Sequence, residues 1–237
     1  MENYCLIIPI YRHVEQFAKF IKKLPDIPIF LVDDGNSIED KKKIKALAEQ
    51  NNMKLISLPR NQGKNAAVFA GFRAALEHGY THALQIDADG QHNNEDIERF
   101  ISISKENSFA IINGCPVYDD SVPKSRLYGR KITNFWVMIE TGGKHIKDAM
   151  CGFRVYPLKE VKPLLDSGIT FKRMGGDIEI IVKAFWLGIK IINVDTNVTY
   201  PKDGFSNFNT LKDNIKISAM HTMLVTEKIL RMMKWKK

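Results

Sequence analysis

Short apolar runs and helix-like segments alternate along the first 113 residues of this 237-residue chain. The predicted strands are Cys5–Ile10, Ile29–Val32, Lys54–Leu58, Thr81–Ile86 and Phe109–Asn113. The segments between them carry apolar residues at helical spacing over Val14–Leu24, Ile38–Asn51, Ala66–Leu76 and Glu95–Glu106. This alternation predicts an α/β fold with a mostly parallel sheet, flanking helices and right-handed crossovers. We therefore expect the carboxyl ends of these strands to share one edge of the sheet.

Acidic residues follow two of the predicted strands. Asp33 and Asp34 come directly after the second strand, and Asp87 and Asp89 come after the fourth. Gln91 adds an amide oxygen to the second acidic group. Carboxylate and amide oxygens suit Mg²⁺ or Mn²⁺, which commonly take their remaining ligands from substrate phosphates and water. The alternation of apolar and polar residues in the fourth strand also predicts that only one of its faces is buried.

Two other interpretations of the second acidic group compete with a metal site. One is a calcium loop of the EF-hand type, whose first, third, fifth and twelfth positions would be Asp87, Asp89, Gln91 and Glu98. His92 excludes this loop, because the sixth position requires glycine for its sharp turn. The other interpretation is an ordinary turn rich in Asp and Gly, and the segment alone leaves that alternative open.

Net charge narrows the class of partner. A formal charge of +8 and an isoelectric point near 9.3 favour anionic partners such as nucleotides or phospholipid head groups. No RNP-like motif, zinc finger or arginine-rich arm accompanies this charge, so we do not expect a nucleic-acid partner.

The composition predicts one domain with a C-terminal extension. A hydrophobic content of 44% supplies a sizeable core, and no tract resembles a linker. We predict a domain over residues 1–209 and a C-terminal helix over 210–237. Cys5, Cys115 and Cys151 are odd in number and widely spaced, which is typical of a reducing compartment such as the cytoplasm. No stretch approaches about 20 apolar residues, so we expect no membrane-spanning helix.

A glycine-lysine pair precedes the third predicted helix. Gly63 and Lys64 do not form a P-loop, because Leu58 stands where the first glycine of that motif would be and Asn65 follows the lysine. Lys64 could still bind phosphate from the start of a helix rich in small residues. No Gly-x-Gly-x-x-Gly pattern occurs, so a dinucleotide-dependent oxidoreductase is not indicated.

Six short motifs occur in order along most of the chain. They are Pro9–Tyr11, Val32–Ser37, Asn61–Lys64, Asp87–His92, Asp148–Arg154 and Gly176–Glu179. Together they resemble the ordered motif set of family 2 glycosyltransferases, and most closely the branch that includes dolichol- and polyprenyl-phosphate mannosyltransferases. The resemblance implies the GT-A fold, a Rossmann-like domain with a mostly parallel central sheet. It also favours the metal interpretation of the Asp-x-Asp segment over the turn.

The resemblance implies roles for individual residues at the donor site. The implied nucleotide-binding residues are Pro9, Tyr11, Asp33, Asp34, Asn61, Lys64, Asp87 and Ala88. Asp89 and Gln91 would hold Mg²⁺ or Mn²⁺ on the diphosphate of the donor. A metal ion and cationic side chains are needed there because the departing nucleoside diphosphate gains negative charge.

Further residues are candidates to bind phosphate or to act on the acceptor. Arg154, Arg173 and Lys202 are candidates to bind phosphate or acceptor, and the arginine-containing form of the loop around Lys202 is absent. Arg126 and Arg130 are further candidates, with surface solvation as the alternative. Asp177 is the expected general base that takes a proton from an acceptor hydroxyl. Two alternatives remain: Asp177 is a helix N-cap, or it only positions an acceptor phosphate that needs no base.

The last segment is predicted to be helical from Thr210, with apolar and Met side chains, Trp235 and a basic end. Such a helix can lie in a membrane interface, or it can pack on the domain or on a second subunit. The predicted helix Arg126–Thr141 has a similar apolar face and could help to hold an acceptor lipid. Three histidines are expected to be structural, namely His92, His145 and His221.

These observations lead to one functional hypothesis and two alternatives. The hypothesis is a metal-dependent, inverting glycosyltransferase that moves a sugar from a nucleoside diphosphate to a lipid or lipid-linked acceptor in cell-envelope glycolipid synthesis. We expect it in the cytoplasm, peripheral on the inner face of the plasma membrane, with homo-oligomers as an option. The alternatives are a non-catalytic nucleotide- or lipid-binding module and a sugar nucleotidyltransferase, although the glycine-rich basic loop of the latter is missing.

Overall fold

A seven-stranded mixed sheet with helices on both faces forms the centre of the protein. The computed structural model describes residues 2–118, 122, 124–167, 169–171, 173, 175–199 and 210–234. The strands are β1 (Tyr4–Ile10), β2 (Ile29–Asp33), β3 (Lys54–Ser57), β4 (His82–Gln85), β5 (Ile111–Tyr118), β6 (Arg154–Pro157) and β7 (Ile191–Val198). The helices are α1 (Val14–Phe20), extended by a 3₁₀ turn (Ile21–Lys23), α2 (Ile38–Gln50), α3 (Lys64–Glu77), α4 (Asp96–Glu106), α5 (Lys124–Thr141), α6 (Leu158–Ser167), α7 (Gly176–Trp186) and α8 (Thr210–Lys234).

The strand order is β3-β2-β1-β4-β6-β5-β7. All neighbouring pairs are parallel except those of β6, which runs antiparallel to both β4 and β5. The predicted α/β fold with a mostly parallel sheet is therefore confirmed. β6 and α6 were not predicted from the sequence, because β6 is only four residues long and its first residue, Arg154, was interpreted as a phosphate-binding residue.

The two acidic groups lie at the same edge of the sheet. β1 has β2 on one side and β4 on the other, and it is parallel to both, with Ile10 opposite Asp33 and Ile7 opposite Gln85. The chain order therefore reverses at β1, and such a reversal point is where open α/β sheets bind ligands beyond the strand ends. The expectation that the acidic strand ends meet at one edge is confirmed.

The prediction that β4 is half-buried is wrong. All four residues of the strand are buried, since β4 lies between β1 and β6 with helices on both faces. Both ring nitrogens of the buried His82 have hydrogen-bond partners. Nδ1 lies 2.9 Å from Thr81 Oγ1, and Nε2 lies 2.8 Å from the Ser108 carbonyl oxygen. Gln85 is also buried, and its amide faces the site described below.

Three groups of buried apolar side chains hold the layers together. One joins the sheet to α1, α2 and α4, and a second joins its other face to α3, α6 and α7. The third connects α5, α7 and α8 through residues such as Val137, Ile178, Met220 and Leu224. α8 therefore packs on α5 and α7 along one side, while the division at residue 209 stays a prediction. No helix in the described ranges is long and apolar enough to cross a membrane.

Two helical glycines allow a matched test of this packing. A Cβ atom on Gly71 of α3 would lie 2.5 Å from Ile7 Cγ2, whereas one on Gly129 of α5 would have no neighbour within 4 Å. We expect Gly71→Ala to lower the free energy of unfolding by about 1–3 kcal/mol through overpacking. Gly129→Ala should raise it by about 0.5–1 kcal/mol through helix propensity. Urea denaturation measures both, and equal effects of the two variants would contradict the close contact between α3 and β1.

Candidate functional site

A cavity of about 1590 Å³ opens at the carboxyl edge of the sheet and extends into a groove between α5 and α8. Most of the predicted site residues line it, namely Pro9, Tyr11, Asp34, Asn61, Lys64, Asp87, Ala88, Asp89, Gln91, Arg173 and Asp177. Asp33 and Arg154 do not line it, and Lys202 lies outside the described residues. Among the described residues, the structure thus brings together the predicted site residues with two exceptions.

Asp33 is the first exception. Its Oδ1 accepts hydrogen bonds from the backbone N and the side-chain Nδ2 of Asn36, at 2.9 and 2.7 Å, and the residue is buried. The same Asn36 donates to the Ile10 carbonyl and accepts from Arg12 N, so Asp33 organises the two loops that follow β1 and β2. Asp33 is buried and does not line the cavity, so the expected contact of Asp33 with a nucleotide stays a prediction.

Asp34 reaches the cavity wall and shapes the loop before α3. Its carboxylate accepts hydrogen bonds from Asn61 Nδ2, Gln62 N and Gly63 N at 2.9, 2.7 and 2.9 Å. Burial raises the pKa of Asp34, and the two backbone hydrogen bonds oppose that rise. Asp34 therefore fixes the backbone from which Lys64 and α3 begin.

Lys64 bridges two carboxylates at the centre of the site. Its Nζ lies 2.8 and 2.9 Å from the two carboxylate oxygens of Asp87 and 3.2 Å from Asp177 Oδ2. Burial lowers the pKa of Lys64, but the two carboxylates outweigh it and the pKa is raised overall. The ammonium group is therefore charged at neutral pH, and it joins the starts of α3 and α7 to the end of β4.

Gly152 provides the space for this ion pair. A Cβ atom at this position would lie 2.5 Å from Lys64 Nζ, 3.0 Å from Gln85 Nε2 and 3.1 Å from Asp87 Oδ2. Any side chain at Gly152 would therefore displace the ammonium group of Lys64. Backbone of the Asp148–Arg154 motif thus forms one wall of the charged centre.

Asp177 lies in the first turn of α7, whose N-cap is Gly175. The alternative that Asp177 is the N-cap is therefore wrong. Its Oδ1 accepts a hydrogen bond of 3.1 Å from Gln85 Nε2. Burial raises the pKa of Asp177, but the charges of Lys64 and Arg154 and the hydrogen bonds from Gln85 and Lys64 outweigh it, so the pKa is lowered overall. Asp177 is ionised at neutral pH, and while Lys64 is its partner it is a weak proton acceptor.

Arg154 is the second exception. Its side chain is 0% exposed and its guanidinium donates to Asn113 Oδ1, the Ala149 carbonyl and the Asp177 carbonyl at 2.7, 2.8 and 2.6 Å. A further contact of 3.3 Å links it to Tyr156 Oη. The prediction that Arg154 binds phosphate is wrong, because its donors are already engaged inside the protein. It holds the first turn of α7 in place and adds positive charge behind Asp177.

The other arginines of the site differ in their contacts and in their exposure to solvent. Arg130 Nη1 lies 2.7 and 2.6 Å from the two oxygens of Asp148, so the alternative that Arg130 is merely solvated is wrong. Arg126 is exposed and contributes to the cavity wall. Arg173 also lines the cavity, where its Nη2 lies 3.4 Å from the Asn61 carbonyl and its charge opposes the rise in the pKa of Asp34.

The carboxyl group of Asp89, at the acidic edge, has a raised pKa. Burial and the neighbouring charge of Asp87 raise the pKa of Asp89 to about 6. Its Oδ1 accepts a hydrogen bond of 3.1 Å from Gln91 N, and this bond and the charges of Lys64 and Arg126 oppose the rise in the pKa. Asp87 has Lys64 as a partner, so Asp89 is the carboxylate that gains most from a cation.

The side-chain oxygens at this edge fit Mg²⁺ or Mn²⁺ bound together with a diphosphate. Its protein ligands would be the hard oxygens of Asp89 and Gln91, and these ions favour oxygen ligands. Among the described residues there is no group of three or more His, Cys, Asp or Glu side chains that could hold a metal ion. The remaining ligands would therefore come from phosphate and water, as is usual where a metal accompanies a nucleotide.

Two polar features of the cavity escaped sequence analysis. Gln85 was assigned to the exposed face of β4, yet its amide binds Asp177. His221 was expected to be structural, but it lies in the cavity wall and pairs with Glu140 of α5. Hydrophilic residues at helical spacing in α8, such as Asn214, Ser218 and Thr222, are a signal that could have indicated a ligand-facing side of that helix.

The raised pKa of Asp89 predicts pH-dependent stability in the absence of metal. The folded protein holds this proton more tightly than the unfolded chain, whose carboxyl has the ordinary pKa of 3.8. Asp89 thus contributes stability at low pH that is lost as the pH rises through about 6. We expect Asp89→Asn to raise the melting temperature at about pH 7.5 and to have little effect at about pH 4, in EDTA. The same change in melting temperature at both pH values would contradict the raised pKa.

Comparison with known proteins agrees with this geometry. The model of the family described as "Glycosyl transferase family 2" matches residues 5–161. Dolichyl-phosphate beta-glucosyltransferase of Dictyostelium discoideum is 28% identical over 182 residues, which cover 72% of this chain and only 54% of that enzyme. The chain thus spans about half the length of that relative. Polyprenol monophosphomannose synthase of Mycolicibacterium smegmatis is 25% identical over 216 residues, covering 86% of this chain and 80% of the relative.

Solved structures share the fold at low identity. Glucosyl-3-phosphoglycerate synthase of Mycobacterium tuberculosis, in complex with uridine diphosphate, aligns with a TM-score of 0.69 and 12% identity over 96% of this chain and 80% of that one. The same enzyme with Mn²⁺ and UDP-glucose aligns with a TM-score of 0.68 and 11% identity, covering 96% and 79% of the two chains. The fold is that of GT-A glycosyltransferases, and the chain belongs to family 2 of the glycosyltransferases.

Proposed function

We propose that the protein transfers a sugar from a nucleoside diphosphate to a lipid or lipid-linked acceptor, with inversion at the anomeric carbon. One observation carries this proposal: the cavity is continuous from the acidic sheet edge, at Asp87 and Asp89, to the groove between α5 and α8. A donor at the edge and an acceptor in the groove would meet beside Asp177. Membership of the family favours this activity over the sugar nucleotidyltransferase.

The donor side combines recognition of the nucleotide with neutralisation of charge. Pro9, Tyr11 and Asn61 line the part of the cavity next to β1 and β2, where the nucleoside would lie. Lys64, Arg126 and Arg173 line the same cavity and would supply positive charge to a diphosphate. Mg²⁺ or Mn²⁺ on Asp89 and Gln91 would offset the charge that develops on the departing diphosphate. The solved relatives with uridine diphosphate, one of them with Mn²⁺, support this arrangement by analogy.

Asp177 is the proposed general base, and Lys64 controls its basicity. A donor diphosphate competes with Asp87 and Asp177 for the ammonium group of Lys64, because phosphate is a strong partner for cations. When Lys64 turns toward the diphosphate, the positive charge that lowers the pKa of Asp177 moves away. Asp177 then becomes a better acceptor for the proton of an acceptor hydroxyl. A lipid phosphate acceptor is already ionised, so Asp177 would only position it.

The acceptor side has an exposed apolar surface suited to lipid. Tyr128, Ile132 and Phe135 form a stripe along α5, and Leu230 and Met233 are exposed near the end of α8. Basic residues of both helices surround these side chains, as in proteins that bind the interface of anionic membranes. Relatives named as dolichyl-phosphate and undecaprenyl-phosphate glycosyltransferases support a lipid acceptor. We therefore propose peripheral binding at the inner face of the plasma membrane and a role in envelope glycolipid synthesis, with self-association as the competing use of this surface.

Calorimetric titration tests the donor site. We expect one of UDP and GDP to bind in the presence of Mn²⁺, and at least about tenfold more weakly without it, because two carboxylates alone repel a diphosphate. Asp89→Asn should remove the metal dependence. Asp195→Asn, at an exposed carboxylate of β7 away from the cavity, is the matched control. Metal-dependent binding without any turnover of sugar nucleotides would favour the non-catalytic binding module.

Kinetic analysis of Asp177→Asn tests the proposed base. We expect a loss of at least about a hundredfold in kcat with an alkyl glucoside as acceptor, and a smaller loss with a short polyprenyl phosphate, which is already ionised. Nucleotide affinity should change much less. Asp166→Asn, which removes an exposed carboxylate from α6, controls for the charge change. Equal losses with both acceptors would assign Asp177 a positioning role and contradict the base.

A further inference from the structure

The two walls of the groove, formed by α5 and α8, both carry apolar and polar side chains. α5 supplies Ile132 and Trp136 together with Arg126 and Arg130. α8 supplies Ile217 and Val225 together with Asn214, Ser218 and Thr222, which are four residues apart and therefore lie on one face of that helix. A groove for a hydrocarbon chain alone would not need these polar side chains. The mixture indicates a ligand that has both an apolar part and polar groups.

A buried pair of side chains joins these two walls. His221 Nδ1 of α8 lies 2.7 Å from Glu140 Oε1 of α5, and the two residues are 5% and 0% exposed. The indole ring of Trp136 lies against the imidazole, with ring centroids 6.2 Å apart and an angle of 29° between the planes. The imidazole is therefore fixed on one side by a carboxylate and on another by an aromatic ring.

One nitrogen of this imidazole is left without a partner. His221 Nε2 is buried and has no hydrogen-bond partner within the part of the chain that the structure describes, and the same holds for Glu140 Oε2. Leaving a buried polar atom unpaired costs about 1–3 kcal/mol. Since His221 belongs to the wall of the cavity, a ligand in the groove can supply the missing hydrogen bond.

The chemistry of the pair selects the kind of group that binds. Glu140 accepts the Nδ1 proton, so Nε2 is an acceptor in the neutral imidazole and a donor in the protonated one. A hydroxyl group satisfies Nε2 in both states, because it both donates and accepts. A phosphate can only accept, and the carboxylate of Glu140 behind the ring opposes a second anion.

We infer that the Glu140 and His221 pair is a binding site for a hydroxyl group of the acceptor. The acceptor class is then a hydroxyl-bearing amphiphile, whose apolar part packs on Ile132 and Trp136 while its head group faces α8. The inference deepens the proposed function by naming the chemical class of the acceptor. It rests on that function only in identifying the bound molecule as the acceptor. His221 would bind this group and not take part in the transfer itself.

Two amphiphiles with the same tail test the site. We expect n-octyl β-D-glucoside to bind the wild-type protein and to bind His221→Leu about tenfold more weakly, as for the loss of one hydrogen bond to a buried partner. Octyl phosphate should bind both proteins equally. His221→Gln, which restores a polar group, should recover most of the glucoside affinity. His145→Leu is the matched control, since His145 also stacks on an aromatic ring, Phe185, but is exposed and outside the cavity.

Calorimetry with these two compounds can also contradict the inference. Equal weakening of both by His221→Leu would reduce the site to apolar packing, and selective loss of octyl phosphate would make it an anion site; either outcome overturns the inference. If His221→Leu does not fold, the His221 ring resonances of the wild-type protein decide, because only the glucoside should shift them. Titration with nucleotide and Mn²⁺ in the same samples separates the two proposals: its failure would overturn the donor site and leave the hydroxyl site standing.

Discussion

The ammonium group of Lys64, held between Asp87 and Asp177, is the interaction on which the site depends. Three carboxylates, those of Asp87, Asp89 and Asp177, surround the same part of the cavity. Without a cation they would repel one another across a partly buried space, where charges are poorly screened. Lys64 offsets two of them, and Gly152 leaves it room to do so. The third, Asp89, is left with a raised pKa and is the natural place for a divalent ion.

The acidic edge of the sheet could be predicted from the sequence, because its signal depends on chain order. Acidic residues that follow parallel strands must meet at one edge, so Asp34, Asp87 and Asp89 were found from the strand pattern alone. The direction of individual side chains was not predictable in this way. Asp33 is adjacent to Asp34 but faces the loops, and Arg154 belongs to a recognisable motif but points into the core. A motif identifies a position along the chain, whereas burial and partners decide what the side chain can bind.

The groove between α5 and α8 was less predictable for a physical reason. His221 and Glu140 are 81 residues apart, and neither has a local pattern that marks it as one half of a pair. Their contact depends on how α5 and α8 pack, which is set by the apolar cluster around Val137 and Met220. α8, which supplies His221, also lies beyond residue 161, where the match to the family model ends. One wall of the groove is thus outside the part of the chain that the family model describes.

The packing of α7 has a consequence for communication between the two ends of the cavity. Its apolar side chains Ile178, Ile181 and Val182 share one cluster with α5 and α8, and Ile178 follows directly after Asp177. A ligand that moved α8 away from α5 would change the packing around Ile178, and the neighbouring Asp177 is linked through Lys64 to Asp87. One packed helix, α7, therefore connects the groove to the acidic edge of the sheet. On the proposed function, this helix is the physical route by which an acceptor in the groove would influence a donor at the sheet edge.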